Sequence, residues 1–500
     1  MAGGCTVGPN YLRPPVEEPP HFKSQADTEP APAMASEWWQ LYGDPELDRL
    51  IATANAANQT LRQAVARVDE ARALARVAGS YLYPTISLDP AYSRLHTSAN
   101  RDSPRTGVRQ GRGVTLNDWL IPIDLAYEVD LWGRVRRSFE SAKGQAQASA
   151  YDVAVVQLGV QTDVAEYYYT LRSLDAQVRI LTDTIAGYQE QVRLLSAQLR
   201  AGLVSARIVD QGRALLEATI AQRRGVERAR ADLEHAVAIL CGQPAPSFAI
   251  AANPLQESTP PALPPGLPAQ LLVRRPDVAE AEQYLVATNA QIGVATAEFY
   301  PRFMLTASAG FESANIATLF NWQSRVAAIS PSISVPIFQG GRLRANLAAT
   351  KARYQQAVAA YVNQVLIAYG DVEDALTDVH ALSDEVKSLR EAVSASRDYL
   401  RMAQVEFRDG LVDYLIVVDA ERTLLANQLS LAQAVNLQMG ASIGLIKALG
   451  GGWDRAEDTP PGRAETPGRD FGVHGKLLRP ADSLATTLPA RAAPEGEGSG

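Results

Sequence analysis

Proline placement constrains this chain more than any other feature. Of 30 prolines in 500 residues, none falls between Pro122 and Pro244 or between Pro336 and Pro460, gaps of 121 and 123 residues. A proline in a helix interior removes a backbone donor and clashes with the preceding turn, so two such gaps predict long unbroken helices. Between them, residues 244–268 hold eight prolines in 25 positions, the composition of a linker. The chain reads as two similar halves joined in the middle.

The halves align by position. Gly133-Arg134 corresponds to Gly341-Arg342, Arg200-Ala201-Gly202-Leu203 to Arg408-Asp409-Gly410-Leu411, and Cys241-Gly242 to Leu449-Gly450, all at an offset of 208. Upstream, Tyr83-Pro84 corresponds to Tyr300-Pro301 at an offset of 217, so a nine-residue difference in one loop separates the registers. This pattern is that of an internal duplication.

A heptad seam runs through Val164, Tyr167, Leu171, Leu174, Val178, Leu181, Ile185, Tyr188, Val192, Leu195 and Leu199. The second half repeats it from Val372, Ala375 and Val379 through Val386 and Val393 to Ala403 and Phe407. One helix over 134–200 would span about 100 Å at roughly 1.5 Å per residue. Each long helix turns back at Gly202 or Gly410. By periodicity alone, a soluble coiled-coil scaffold would explain all of this.

The segments before the long helices point elsewhere. Trp119, Ile121, Ile123, Leu125, Tyr127, Val129 and Leu131 alternate with Leu120, Pro122, Asp124, Ala126, Glu128 and Asp130, a strand with one apolar face. Ile86, Leu88 and Tyr92 begin a second such strand, Phe303 to Phe311 a third, and Ile329, Ile333, Val335 and Ile337 a fourth. Each has about the 10 residues that a tilted transmembrane strand needs. No run of about 18 consecutive apolar residues is present, so a membrane span is expected to be β rather than helical. Four strands are too few to close a barrel, since the smallest have about eight, and an open edge is not tolerated in hydrocarbon. Several copies would have to pool their hairpins. A soluble four-stranded sheet packed on the helices is the competing reading.

Charge and cysteine content narrow the classes further. Lys+Arg 47 against Asp+Glu 55 gives a net charge of -8, which argues against a nucleic-acid partner. Cys5 and Cys241 are too few for a disulfide framework. The five histidines show no metal-ligand spacing. Gly440-Ala-Ser-Ile-Gly444 fits a nucleophile-elbow pattern, but it falls inside a predicted helix and is read as chance. No catalytic, metal or cofactor site emerges, and an enzyme on a helical framework is the least favoured reading.

Four motifs carry a resemblance. Tyr127-Glu-Val-Asp-Leu-Trp-Gly-Arg-Val-Arg136, Arg274-Arg-Pro-Asp-Val-Ala-Glu-Ala-Glu282, Gln291-Ile-Gly-Val-Ala-Thr-Ala-Glu-Phe-Tyr-Pro301 and Phe338-Gln-Gly-Gly-Arg342 resemble the signatures of the TolC-like outer membrane factors. The similarity runs from about residue 5 to 453, and is to the lipoprotein branch that serves resistance-nodulation-division efflux pumps. It implies a mixed, mostly α fold with four strands per protomer. A homotrimer would form a twelve-stranded transmembrane β-barrel, continued by a coiled-coil α-barrel into the periplasm. The implied function is a passive efflux duct in the outer membrane, docked to a periplasmic adaptor protein and an inner-membrane transporter.

The resemblance also suggests sites. Met1-Ala-Gly-Gly-Cys5 is similar to the acylation site of this branch, where the cysteine becomes the lipidated residue and carries acyl chains such as palmitate. Only four residues precede Cys5, so lipidation is expected where an upstream signal segment is supplied. The hairpin tips, with Gly202, Leu203, Val204 and Ser205 in the first and Gly410, Leu411 and Val412 in the second, are the implied adaptor-binding points. Asp413, Leu415 and Asp419 are the implied periplasmic gate, and Glu406 stands where the family has a gate arginine. The tip glycines could equally be turn residues only, and Asp413 a helix cap. Arg101, Arg105, Arg109 and Arg112 lie in the loop expected to face outside.

The expected organisation is an anchor and extended segment over 1–37 and a first repeat over 38–243. Within that repeat lie a helix, a β-hairpin at about 84–132 and a helical hairpin at 134–242. The linker 244–268 leads to a second repeat over 269–453, with a helix, a β-hairpin at about 301–338 and a helical hairpin at 342–450. A disordered tail over 454–500 is expected from its Pro, Gly and charge content.

Overall fold

A computed structural model describes residues 6–23, 34–100, 113–255, 260–261, 263 and 274–453. Cys5, the loop arginines 101, 105, 109 and 112, and the whole of 454–500 lie outside the described residues.

Two helices, not one, open the first half. α1 (Pro45–Ala57) starts on Asp44, whose carboxylate accepts from the backbone of Glu46 and Leu47, with Pro45 at the first helical position. α2 (Gln59–Ser80) starts on Asn58, whose Oδ1 accepts from Leu61 N at 2.9 Å while its Nδ2 donates to Leu240 O at 2.8 Å. The long helices follow the proline gaps. α3 (Arg134–Arg200) has 67 residues and α4 (Ala206–Leu240) has 35. In the second half α5 (Pro276–Ala297) precedes α6 (Arg342–Arg408), again of 67 residues, and α7 (Tyr414–Ala448), again of 35.

Glycine makes the entry to each long helix. Gly133 and Gly341 both have φ of 85°, which side chains disfavour. A Cβ on Gly133 would also lie 2.7 Å from Thr6 Cγ2, so the N-terminal segment can pass there only over glycine. Along α3 the seam is buried at Val164, Leu171, Leu181, Ile185, Tyr188 and Leu195. Tyr167 and Leu199 depart from the expectation and stand 37% exposed.

α7 is the one described helix long and apolar enough to cross a membrane. The rule of consecutive apolar residues missed it. Here it is a packed element: Val417, Val418, Met439, Ile443 and Ile446 are buried, within cores that also hold residues of α3 and α6.

Residues 244–255 do not behave as a free linker. Ile250 is 5% exposed, its N–H donates to Glu234 at 2.7 Å, and its carbonyl accepts from Arg230 at 2.8 Å. At the N-terminus of α5, buried Arg275 bonds Asp277, pairs with Asp371 of α6 at 2.9 Å, and donates to Ala448 O of α7 at 3.1 Å. Such a buried guanidinium is tolerable because two carboxylates and a carbonyl replace its water.

The strands form one antiparallel sheet. β1 (Thr85–Leu88) and β2 (Ala91–His96) both pair with β3 (Thr115–Val129), β3 pairs with β4 (Arg302–Ser313), and β4 with β5 (Arg325–Ser334). Leu88 faces Ile123 and Ala91 faces Leu120, so the register does not change across the gap. β1 and β2 are one strand interrupted where Pro90, which has no N–H, and Pro122 of β3 break the ladder. β5 ends at Ser334, before Val335 and Ile337, which the alternation had included. Its partner β4 begins at Arg302, after Pro301, and Pro336 cannot donate to a ladder.

Candidate functional site

The two helical hairpins end in matching turns. Gly202 adopts φ of 74° and Gly410 φ of 75°. Leu203 N donates to Gln198 O at 2.9 Å and Leu411 N to Glu406 O at 2.8 Å, while each glycine N–H bonds back three residues. These are Schellman closures, which satisfy the last carbonyls of α3 and α6 and leave the residue after each glycine projecting. Leu203 is 73% and Leu411 74% exposed. Val204 and Val412 are half-buried, and Val204 packs with Leu195, Val209, Tyr414 and Val417 in a core that joins the two tips. The glycines are therefore turn residues that also present two leucines to solvent.

The returning helices start differently. Ser205 precedes α4 without a side-chain cap, whereas Asp413 Oδ1 accepts from Leu415 N at 3.2 Å. Asp413 thus caps α7, and Leu415 points outward, 54% exposed. One and a half turns on, Asp419 Oδ2 accepts a hydrogen bond from Tyr399 Oη of α6 at 3.3 Å. Asp413 and Leu415 are exposed at the end of the second hairpin, and Asp419, also exposed, lies one and a half turns along α7. Glu406 is exposed on the same tip. Desolvation, followed by Asp419 and then Glu406, pushes the Tyr399 hydroxyl above its ordinary pKa.

Glu421 is a participant that the sequence reading missed. Tyr414, Val417, Val418 and Glu421 follow the i, i+3, i+4, i+7 pattern, which puts a carboxyl on the buried stripe of α7. Burial pushes its pKa up to about 7, opposed by a hydrogen bond with Gln191 of α3. Its Oε2 and the hydroxyls of Tyr188 and Tyr414 have no hydrogen-bond partner among the described residues. That stripe position was the available signal.

The sheet has two unlike faces. Constant registers place Ile86, Leu88, Ile123, Leu125, Ala307, Ala309 and Ile329 on one of them, continued toward the helices by Tyr127, Val129, Phe303, Leu305 and Ile333. The opposite face carries Asp118, Asp124, Glu128 and Glu312, with Thr306, Ser308, Ser330 and Ser332 between them. The apolar face is uncovered: Ile86, Ile123, Ile329 and Ile333 are all more than half exposed. Both sheet edges, β1/β2 and β5, lack a further strand among the described residues.

No group of three or more His, Cys, Asp or Glu able to hold a metal occurs among the described residues. Ser442, the serine of the Gly440–Gly444 pattern, is buried in the interior of α7 and shares a hydrogen bond with Tyr42 Oη at 2.8 Å. Cys241 is fully buried, and burial pushes its thiol up to about 11.

Comparison with known proteins gives a consistent picture. Residues 50–243 and 267–451 match the profile of the outer membrane efflux protein family. The toluene efflux pump outer membrane protein TtgF of Pseudomonas putida is 32% identical over 468 residues, covering 91% of this chain and 96% of the relative. The cation efflux system protein CusC of Escherichia coli is 30% identical over 461 residues, covering 90% of this chain and 96% of that one. Among solved structures, the outer-membrane channel OprN superposes with a TM-score of 0.84 at 29% identity, over 90% of this chain and 100% of that one.

Proposed function

The chain belongs to the outer membrane efflux protein family, and from that premise we propose how its parts serve a duct. It is the outer-membrane channel component of a tripartite efflux pump, set in the outer membrane and extending into the periplasm.

The carrying observation is the sheet: an apolar face, an acidic face and, among the described residues, two open edges in one protomer. Unpaired edges and bare isoleucines are costly in water, and unpaired edges are costly in lipid too. Closure by copies of the same chain satisfies both. Three copies of β1/β2, β3, β4 and β5 give a twelve-stranded barrel, with the apolar face toward lipid and the carboxylates toward an aqueous lumen. The equal lengths of α3 and α6, and of α4 and α7, support a duplicated chain whose six helical hairpins continue the tube.

The tips are the docking end. Gly202, Leu203, Val204 and Ser205 with Gly410, Leu411 and Val412 present two leucines to a periplasmic adaptor, and Asp413, Leu415 and Asp419 line the gate. The duct itself is passive, with energy supplied by the inner-membrane transporter. At the other end, Val7 N donates to Trp132 O at 3.0 Å, where sheet passes into helix. Cys5, two residues earlier in the chain, is the residue proposed to carry the lipid anchor. Relatives named for toluene and for cation efflux match this chain over nine-tenths of its length at similar identity, so the cargo is set outside the duct.

Reconstitution in planar bilayers tests the reading. The purified protein should conduct ions as a trimer; a soluble scaffold would give no conductance, and that result would remove the duct.

A further inference from the structure

Charge on the apolar face of the sheet is confined to one place. Arg94 of β2 stands opposite Asn117, and Arg325 of β5 stands opposite Phe311, which itself faces Ile121. Those registers put both arginines on the face of Ile123 and Leu125, at the end of the sheet remote from the helices. The carboxylates within the paired strands, Asp118, Asp124, Glu128 and Glu312, lie on the opposite face. Neither arginine has an ion-pair partner among the described residues.

Their surroundings are aromatic. Tyr92 stacks on Trp119 at 4.3 Å between centroids, and Phe320 meets Phe311 edge to face at 5.6 Å. Arg325 is exposed beside Trp322 and donates its Nε to Trp322 O at 2.9 Å. Trp322 and Phe320 are both largely exposed. Aromatic rings beside guanidinium groups without an ion-pair partner among the described residues, above a lipid-facing apolar band, are chemistry suited to a membrane interface rather than to hydrocarbon.

We propose that Arg94 and Arg325 form a binding site for the phosphate groups of an outer-leaflet glycolipid. This rests on the barrel reading above. The two arginines sit on opposite edge strands, so in a closed ring Arg325 of one copy and Arg94 of the next come to the same seam. Within one chain Arg94 is level with Asn117 and Arg325 with Ile121, four β3 residues apart, so the two guanidinium groups line the seam at separate levels, each placed to meet a phosphate of a lipid lying along it beside the aromatic side chains. Because each site spans two copies, bound lipid also ties neighbouring protomers together.

The experiment uses delipidated trimer in detergent, titrated with lipid A bearing its phosphates, with dephosphorylated lipid A and with inorganic phosphate, each read by native mass spectrometry. The phosphorylated lipid should bind at least about tenfold more tightly than either other probe, and Arg94→Gln with Arg325→Gln should abolish that preference. Equal binding of dephosphorylated lipid, equal binding of inorganic phosphate, or an unaltered double variant overturns the proposal. Comparison of the three probes on wild-type trimer needs no variant to fold. Planar-bilayer conductance of the same sample separates the two ideas: a conducting trimer without the phosphate preference loses the lipid site alone, and a non-conducting one loses the duct.

Discussion

Tyr399 of α6 donates its hydroxyl to Asp419 of α7 at 3.3 Å, so the outgoing and returning helices of the second hairpin are linked by a phenol and a carboxylate. In a trimer Asp419 would recur around the entrance, with Asp413 a turn and a half nearer the tip. Rings of carboxylate attract cations and repel anions. Asp413→Ala with Asp419→Ala should lower cation over anion permeability in planar bilayers, most clearly at low ionic strength where screening is least. Tyr399→Phe, which keeps both charges, should leave that preference intact. An unchanged reversal potential in the double variant, from a trimer shown to be assembled, would take these residues out of the pore lining. Because Asp413 also caps α7, its loss should cost about 1 kcal/mol of helix stability as well.

The two faces of β3 make a sharper contrast. Ile123 shares the apolar face with Leu88 and Ala309, while Asp124 lies across from Ser87 and Ser308. Arginine at Ile123 should cost roughly 2 to 4 kcal/mol near the membrane midplane, and arginine at Asp124 should be tolerated. Heat-modifiable mobility of outer-membrane trimer reports assembly. Equal assembly of Ile123→Arg and Asp124→Arg would mean that the strand register is inverted.

Much of this architecture was legible because its signals are strictly local. Proline gaps and paired glycines located both long helices and both tips to within a residue or two, and alternation located β3 from Trp119 onward. What escaped depended on partners distant in sequence. The end of β5 is decided by where β4 begins. The packing of residues 244–255 needed Glu234 and Arg230 of α4. At the tips, Asp413 gave its signal as a capping residue just before a helix, whereas Tyr399 could be paired with Asp419 only once two helices were seen side by side.

Glu421 should make the tip sensitive to pH. Its folded pKa, raised to about 7 by burial, lies above the ordinary carboxylate range, so the folded tip holds a proton that the unfolded chain gives up. The resulting stability is fully present below about pH 4.5 and is lost as pH rises through about 7. The charged form then sits beside the Tyr188 and Tyr414 hydroxyls, with Arg422 a compensating charge acting on Tyr188. Glu421→Gln should flatten this dependence and raise stability at pH 8 by about 1 to 3 kcal/mol. Hydrogen exchange across 185–200 and 414–425, measured at pH 5.5 and 8, reads the effect. Identical pH dependence in wild type and variant would show that Glu421 does not titrate in this window.

The N-terminal segment makes the last prediction. Arg13 forks onto Glu282 of α5 through two bonds of 2.7 Å, and Tyr11 Oη donates to the same carboxylate at 3.2 Å. Glu282 is 4% exposed, and Phe22 further along is buried in the core of α5, α6 and α7. The segment is thus held by a bidentate pair and an apolar plug, independent of any lipid on Cys5. Provided that a signal segment precedes it, Cys5→Ser should lose acylation by intact mass yet stay trimeric. Arg13→Ala should cost about 1 to 3 kcal/mol, the price of leaving a buried carboxylate with weaker partners. That loss should appear locally, as faster exchange of the Val7 amide that bonds Trp132 O, with little change along α3. A trimer that falls apart on Cys5→Ser, or a Val7 amide equally protected in Arg13→Ala, would show that the lipid rather than this ion pair holds the segment in place.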